Sequence, residues 1–443
     1  HAAATSVPAA CGARGRSDVM SQTTDTSMPD ALLDPTLRRQ SRKRLTGMRM
    51  LYLATLLLLL FSVVRVITGA GNLTAAGTAA AALGLAVPIA MAGLGGLWSE
   101  RAGVVNIGLE GMLILGTFGA GWAGYQWGPW AGLLAAIAFG ALGALLHAIA
   151  TVTFAVDQIV SGVAINILAL GITQFLAAEW FVGTQGGGQT QSPQIPDMAT
   201  ITIPGVSEAA TAIAEKGWFF VSDLAAIVAG LTTDVSVITI LAIVLIVGTF
   251  YVLWRTSFGL RLRSCGEAPY AAATLGVNVI RYKYIAVITS GALAGVGGAY
   301  LAIVAAGIYR EGQTGGRGYI GLAAMIFGNW RPGGLAAGAG LFGYTDALQL
   351  RGGGAVHALL LLIALLLIAY AAWLLYRRRW VGAVVGLVIA GLMIVWWATT
   401  DDVPPQVAFV TPYVATLLVL ALATQRLRMP AADGKPYLKG EEH

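Results

Sequence analysis

Apolar runs of about twenty residues recur along most of this chain, and a run of that length is what an α-helix needs to cross the roughly 30 Å hydrocarbon core of a bilayer. They fall at about 49–69, 75–97, 103–125, 130–154, 158–180, 236–254, 283–306, 318–330, 333–350, 356–376, 380–399 and 407–424. Hydrophobic residues make up 57% of the chain and charged residues 11%, whereas soluble domains carry about 25% charged residues. That balance excludes an ordinary water-soluble enzyme, a disordered chain and a disulfide scaffold. The expected fold is all-α, a polytopic membrane protein with about 10–12 transmembrane helices, some of them broken or re-entrant.

Glycine is plentiful, and Gly291-x-x-x-Gly295 and Gly334-x-x-x-Gly338 have the spacing that lets membrane helices approach closely. Cys11 and Cys265 lie far apart on segments expected in the cytosol, so no disulfide is expected.

The basic residues set the threading. Residues 1–48 form a polar tail ending in the cluster Arg38 to Arg44, read as a disordered cytoplasmic anchor. If each segment then crosses, the exterior loops hold only Lys216, Arg310, Arg317 and Arg351 of the 27 basic residues. Arg101, the group from Arg255 to Lys283, Arg331, Arg377 to Arg379 and the C-terminal tail fall inside. This asymmetry supports the parity and argues against nucleic acid as the partner of the net +6 charge. The segment 318–330 is short for a crossing, but deleting it would place Arg377 to Arg379 outside, so a re-entrant helix buried in protein is expected. The resulting organisation is a tail at 1–48, a transmembrane core at 49–350 with a cytoplasmic loop at 255–282, a transmembrane hairpin at 351–406, a last helix at 407–425 and a cytoplasmic tail at 426–443. The exterior stretch 181–235 carries an apolar patch near Trp218 to Phe220 that could form a surface helix.

Three stretches carry chemistry. In loop 255–282, Gly266 and Pro269 mark a helix start, Ala271 to Ala273 favour helix, and Gly276 suits its stop. A short helix lying in a cytoplasmic loop is either a lever or a connector held near lipid by its arginines. In 95–111, glycines and charged residues interrupt two spans, as where broken helices border a polar cavity. Glu110 there is either a substrate contact or a partner for Arg101. Asn106 suits a sugar hydroxyl, a base or a neighbouring helix, and Ser99 belongs to the same run. Asp157, ahead of Ser161 and Asn166, suits a helix N-terminus. His147, His357 and Asp346 are isolated polar residues without metal-ligand spacing, so no metal site is expected.

No G-x-x-x-x-G-K-[ST] phosphate loop, H-E-x-x-H or convincing G-x-S-x-G elbow occurs. The chain is therefore not expected to hydrolyse ATP or to act as an enzyme. If it imports a solute, one other chain must capture that solute and another must supply the energy.

The run Gly96-Leu-Trp-Ser-Glu-Arg-Ala-Gly-Val-Val-Asn-Ile-Gly-Leu-Glu-Gly-Met112 resembles the signature of nucleoside permeases in the branched-chain-amino-acid and simple-sugar permease superfamily of bacterial ATP-binding-cassette importers. Asp157 to Asn166, Gly266-Glu267-Ala268-Pro269 with Ala271-Ala272, Gly316 to Ala323 and Gly434-Lys435-Pro436-Tyr437 are similar to the same group. The likeness covers about 75–350 and 408–440. Ala268 stands where the group commonly has Asn. The pair 356–376 and 380–399, like the N-terminal extension, falls outside the usual pattern.

The resemblance implies a multi-pass protein of the bacterial plasma membrane, with its N-terminus in the cytoplasm. Gly266, Glu267, Ala268, Pro269, Ala271, Ala272 and Gly276 would then form the coupling helix that docks on a separate ATPase subunit. A second, distinct permease and an exported substrate-binding lipoprotein would complete the importer, and no cofactor would sit on this chain. Asn106, Glu110, Ser99 and Asn166 are the expected pathway residues for a nucleoside. A simple sugar such as ribose or galactose is the alternative cargo, and an ion-coupled secondary transporter is the alternative mechanism.

Overall fold

The computed structural model describes residues 55–404 and 427–438, together with Met48, Tyr52 and Val410. The tail expected at 1–48 and the last helix expected at 407–425 therefore lie outside the described residues, Met48 and Val410 excepted. The chain divides into the units His1–Leu56 and Leu57–His443, and the second holds everything discussed from residue 57 onward.

Among the described residues the helices are α1 (Thr55–Thr68), α2 (Ala76–Arg101), α3 (Leu109–Trp127), α4 (Pro129–Ala148), α5 (Gln158–Trp180), α6 (Val206–Ala214), α7 (Val221–Thr232), α8 (Val237–Arg255), α9 (Ser257–Glu267), α10 (Pro269–Thr274), α11 (Val279–Ala299), α12 (Arg317–Phe327), α13 (Pro332–Gln349), α14 (Gly353–Tyr376) and α15 (Trp380–Thr399). Two two-residue strands, β1 (Thr200–Ile201) and β2 (Val235–Ser236), pair antiparallel and are all the sheet present among those residues. Seven helices among the described residues are long and apolar enough to cross a membrane. α4 and α11 run on through π-helical turns at Ile149–Thr153 and Tyr300–Ala305.

Burial separates the helices by role. α2 and α11 are the most enclosed spans, 72% and 78% buried, and form the axis of the bundle with α3, α4 and α13 around them. On the α4–α11 contact, a Cβ on Gly291 or Gly295 would run into the carbonyls of Gly140 and Ala136, so the two backbones touch. That is the helix-packing use of the small-residue spacing. α14 and α15 pack on one another through Ala364, Leu367 and Ala390, and α15 turns an almost wholly apolar surface outward.

Local chemistry explains several boundaries. Asp157 caps α5, its carboxylate accepting from the amides of Ile159 and Val160 at 2.9 and 3.0 Å. Gly276, at φ +83°, ends the α10 turn. Two expectations are corrected. Gly95 and Gly96 do not break a span, because α2 runs continuously to Arg101 and the interruption is confined to 102–108. Tight packing holds them helical: a Cβ on Gly95 would strike the Ser290 carbonyl, and one on Gly96 would lie 3.1 Å from Leu109. Trp218 to Phe220 form the turn between α6 and α7 rather than a helix, with Phe220 at φ +64°.

α12 has only 11 residues, about 16 Å of helix, half a membrane. Its N-terminus meets Glu110 at the start of α3, and the turn after its C-terminus meets Glu100 and Arg101 at the end of α2. The other half of this crossing is the non-helical segment 306–316, whose residues 309–311 bond to the segment following α5.

Candidate functional site

Two polar junctions stand out, one behind the signature loop 102–108 and one beneath it on the side of loop 255–282. In the first, the buried Glu110 carboxylate accepts from the amides of Gly316 at 2.9 Å and Gly318 at 2.7 Å. It therefore caps α12, where its charge meets the positive end of the helix dipole. It makes no pair with Arg101 among the described residues. Asn106 is fully buried; its amide nitrogen donates to Ser290 Oγ at 2.9 Å and its oxygen accepts from Gly108 at 3.1 Å. Ser99 Oγ donates to the Val104 carbonyl at 2.6 Å. Buried His147 bridges α4 to α5 and the loop, with Nδ1 2.9 Å from Ser161 Oγ and Nε2 3.1 Å from the Val105 carbonyl. The Gln158 side chain accepts from the Val105 amide at 2.6 Å.

Asn166 is half-buried at the edge of this junction. Its oxygen accepts from the Gly111 amide at 2.7 Å, and its nitrogen donates to the Ile107 carbonyl at 3.1 Å and to the hydroxyl of Tyr319 at 2.9 Å. Of the four expected pathway residues, Ser99, Asn106 and Glu110 are enclosed, and Asn166 alone borders an open face.

The second junction ties four segments together. Lys283 of α11, 2% exposed, donates to the Gly103 carbonyl at 3.1 Å. Arg101 donates to the Trp330 carbonyl at 2.7 and 3.1 Å, lies 3.8 Å from Glu267 and covers the ring of Trp254 at 5.5 Å. Trp330 Nε1 donates to Glu100. The C-terminal segment completes the junction. Ala432 donates to the Gly266 carbonyl at 2.8 Å, Ala431 to Glu267 at 3.3 Å and Arg428 to Asn329 at 2.8 Å, and the Tyr437 ring packs on Tyr270 at 5.2 Å.

Asp433 is buried beside Glu100, and burial pushes its carboxyl up to about 7 against the pull of Lys283 and Arg101. Cys265, fully enclosed in α9, is pushed up to about 11 for the same reason.

Loop 255–282 thus holds two helices, α9 and α10, and Gly266 lies inside the first rather than starting the second. Gly266, Cys265, Pro269 and Ala272 are buried against the rest of the protein, whereas Glu267, Ala268, Ala271 and Gly276 are exposed, as is Leu275 at 85%. The platform therefore has an inward face that grips the bundle and an outward face with nothing on it among the described residues. Lys283, Trp330, Ser290 and Asp433 are the partners that reading the sequence missed. Of these, only Asp433 had a signal, as the neighbour of Gly434-Lys435-Pro436-Tyr437. No group of three or more His, Cys, Asp or Glu that could hold a metal occurs among the described residues.

Residues 78–371 match the family described as the branched-chain amino acid transport system permease component. The guanosine ABC transporter permease protein NupQ of Bacillus subtilis is 36% identical over 82% of this chain and 96% of its own. The nucleoside ABC transporter permease protein NupC of Lactococcus lactis is 34% identical over 80% of this chain and 94% of its own. A putative glucose ABC transporter permease, TsgC13 of Haloferax volcanii, is 35% identical over 62% of this chain and 78% of its own. No solved structure matches. A family match across about two thirds of the chain makes this multi-pass membrane protein a member of the branched-chain amino acid transport system permease family.

Proposed function

We propose that this chain is a permease subunit of an ATP-binding-cassette importer of nucleosides in the bacterial plasma membrane, with its N-terminus in the cytoplasm. Similarity over most of the chain to the guanosine and nucleoside permeases carries the reading. The α9–α10 platform supports it, since its exposed face at Glu267, Ala268, Ala271, Leu275 and Gly276 offers the surface an ATPase needs. A separate ATPase subunit hydrolyses ATP, an extracytoplasmic binding lipoprotein delivers the nucleoside, and a second, distinct permease forms the other wall of the pathway.

The mechanism follows from connectivity. A push on α10 passes through Glu267 and Gly266 to Arg101 and the turn at Trp330, and so to the ends of α2 and α12. The other end of α12 is held by Glu110, whose neighbour Gly111 bonds Asn166 of α5. Ser99, Asn106 and Glu110 act from behind the pathway by holding loop 102–108 and α12 in register, and Asn166 acts at its edge. Pathway shape thereby becomes linked to the ATPase through contacts within this chain.

The test is labelled guanosine uptake into vesicles holding this chain with its permease partner, ATPase and binding lipoprotein, with ion gradients collapsed. ATP-dependent uptake that disappears when residues 266–276 are scrambled is expected. Uptake that follows a gradient and ignores ATP would make the chain an ion-coupled transporter. A sugar cargo is favoured by the likeness to TsgC13, and competition by free glucose or ribose but not guanosine would select it.

A further inference from the structure

Three membrane-length helices are covered by the rest of the fold over less than a third of their length: α5, α8 and α15, at 28%, 28% and 17%. The open surfaces of α8 and α15 are almost entirely aliphatic and aromatic, as lipid requires. α5 differs. Asn166, Leu170 and Gln174 follow one another at four-residue steps, which places them on a single stripe. Gln174 is exposed, Asn166 is half-exposed and the Phe175 ring beside Gln174 is 68% exposed.

A second, independent feature lies opposite that stripe. The crossing between α11 and α13 is helical only over α12, and its other half, 306–316, is irregular backbone with Gly307, Gly312, Gly315 and Gly316 all at positive φ. This segment and the start of α12 reach α5 at two levels. Gln174 Nε2 donates to Glu311 Oε1, and two turns further along, Asn166 meets Tyr319 at the start of α12. The two contacts are about 12 Å apart along α5, so the irregular segment descends beside the helix between them.

Irregular backbone and a carboxyl group cannot face hydrocarbon. They persist at membrane depth only where protein covers them or where they line water. The described residues cover this side only in part: Tyr309 and Thr314 are buried and Glu311 is half-buried, whereas Arg310, Gly312, Gly315 and Tyr319 are exposed. Glu311 has no cationic partner among the described residues.

We propose that Glu311, Gln174 and Tyr319 form the contact lane that grips the nucleoside as it passes, a proposal that rests on the nucleoside reading above. Each group has capacity left. Glu311 gives one carboxylate oxygen to Gln174 and keeps the other, which can accept from ribose hydroxyls. The Gln174 carbonyl can accept from a base amino group. Tyr319 accepts from Asn166, so its own proton points onward as a donor. Phe175 offers a flat face on which a base can stack. Asn166 is a positioning residue, its polar atoms already spent on Gly111, Ile107 and Tyr319.

The complete importer tests this with its binding lipoprotein saturated by guanosine, so that capture does not limit the rate. Glu311→Ala and Gln174→Ala are each expected to lower the maximal uptake rate at least tenfold, and Glu311→Gln less, because it keeps an acceptor. Val388→Ala, on the outward face of α15, is expected to leave the rate unchanged. In parallel, a water-soluble maleimide is expected to label the Gln174→Cys variant and not a Val388→Cys variant, with labelling slowed by guanosine under turnover. Rates within twofold of wild type for both alanine variants overturn the lane, as does a Gln174→Cys thiol that stays unlabelled. If the wild-type importer carries no nucleoside, the functional reading itself fails, and the lane assignment with it.

Discussion

The amide of Ala432 donates to the carbonyl of Gly266 at 2.8 Å. A residue twelve from the C-terminus is thereby locked to the joint between α9 and α10, and the same carbonyl-bearing glycine lies against the end of α2, where a Cβ would strike the Arg101 carbonyl. The tail is part of the α9–α10 platform. Removal of residues 427–443 is expected to leave the transmembrane helix content of the purified complex unchanged by circular dichroism. Uptake per ATP hydrolysed is expected to fall severalfold, since α10 loses the Tyr437–Tyr270 contact as well.

The same tail should respond to pH. Asp433 has a carboxyl raised by burial to about 7, facing Glu100, Lys283 and Arg101. A released tail would titrate near 3.9, so the docked state binds the extra proton between those values. Docking is therefore strongest at low pH, weakens as pH rises toward about 7, and changes little beyond. Hydrogen exchange at Ala431 and Ala432, corrected for intrinsic rate, is expected to show protection falling from pH 5 to pH 7. Asp433→Asn is expected to flatten that profile, because a neutral amide has no proton to lose. A profile that slopes equally in the variant would remove Asp433 as its source.

Glu110 gives a prediction about stability rather than affinity. Its carboxylate is buried and satisfied by two backbone amides of α12, and hydrogen bonds to a charged group contribute about 1.5–3 kcal/mol each. Glu110→Ala leaves both amides without that acceptor and is expected to destabilise the permease by several kcal/mol, read as a lower melting temperature in detergent. Glu110→Gln keeps one acceptor and is expected to fall between. If Glu110→Ala abolished uptake with an unchanged melting temperature, Glu110 would be a substrate contact instead of a cap.

How much of this was legible in the sequence depended on range. Asp157 and the Gly276 stop are local, with their partners within a few residues, and they read correctly. The hydropathy runs also read well, because lipid imposes the same demand on every turn of a helix. Glu110 was visible as an unusual residue, but its partners lie 206 and 208 positions away, and no local rule points to them. Gly95 and Gly96 misled for the opposite reason. Glycine is a helix breaker in isolation, and only the packing of α2 against Ser290 and Leu109 makes it the residue that fits. Gln174 and Glu311 are ordinary polar residues at the end of a span and in a loop, and they gain meaning only when the irregular half-crossing is laid beside α5.

The cysteine of the platform supplies a last prediction. Cys265 is fully buried in α9, in a cluster with Ala272 and Val279 that joins α9, α10 and α11. Burial raises its thiol to about 11, so at pH 7.5 the thiolate is a minute fraction, and the thiolate is the reactive species. Maleimide labelling of Cys265 in the resting complex is expected to be slower than that of a free thiol by several orders of magnitude. If the platform opens away from α11 when the ATPase turns over, exposure and thiolate formation rise together. Labelling should then accelerate under ATP turnover and return to its resting rate when the nucleotide is removed. A rate that stays low throughout turnover would mean that α9, α10 and α11 move as one rigid unit, so that the motion is taken up at the ends of α2 and α12 instead.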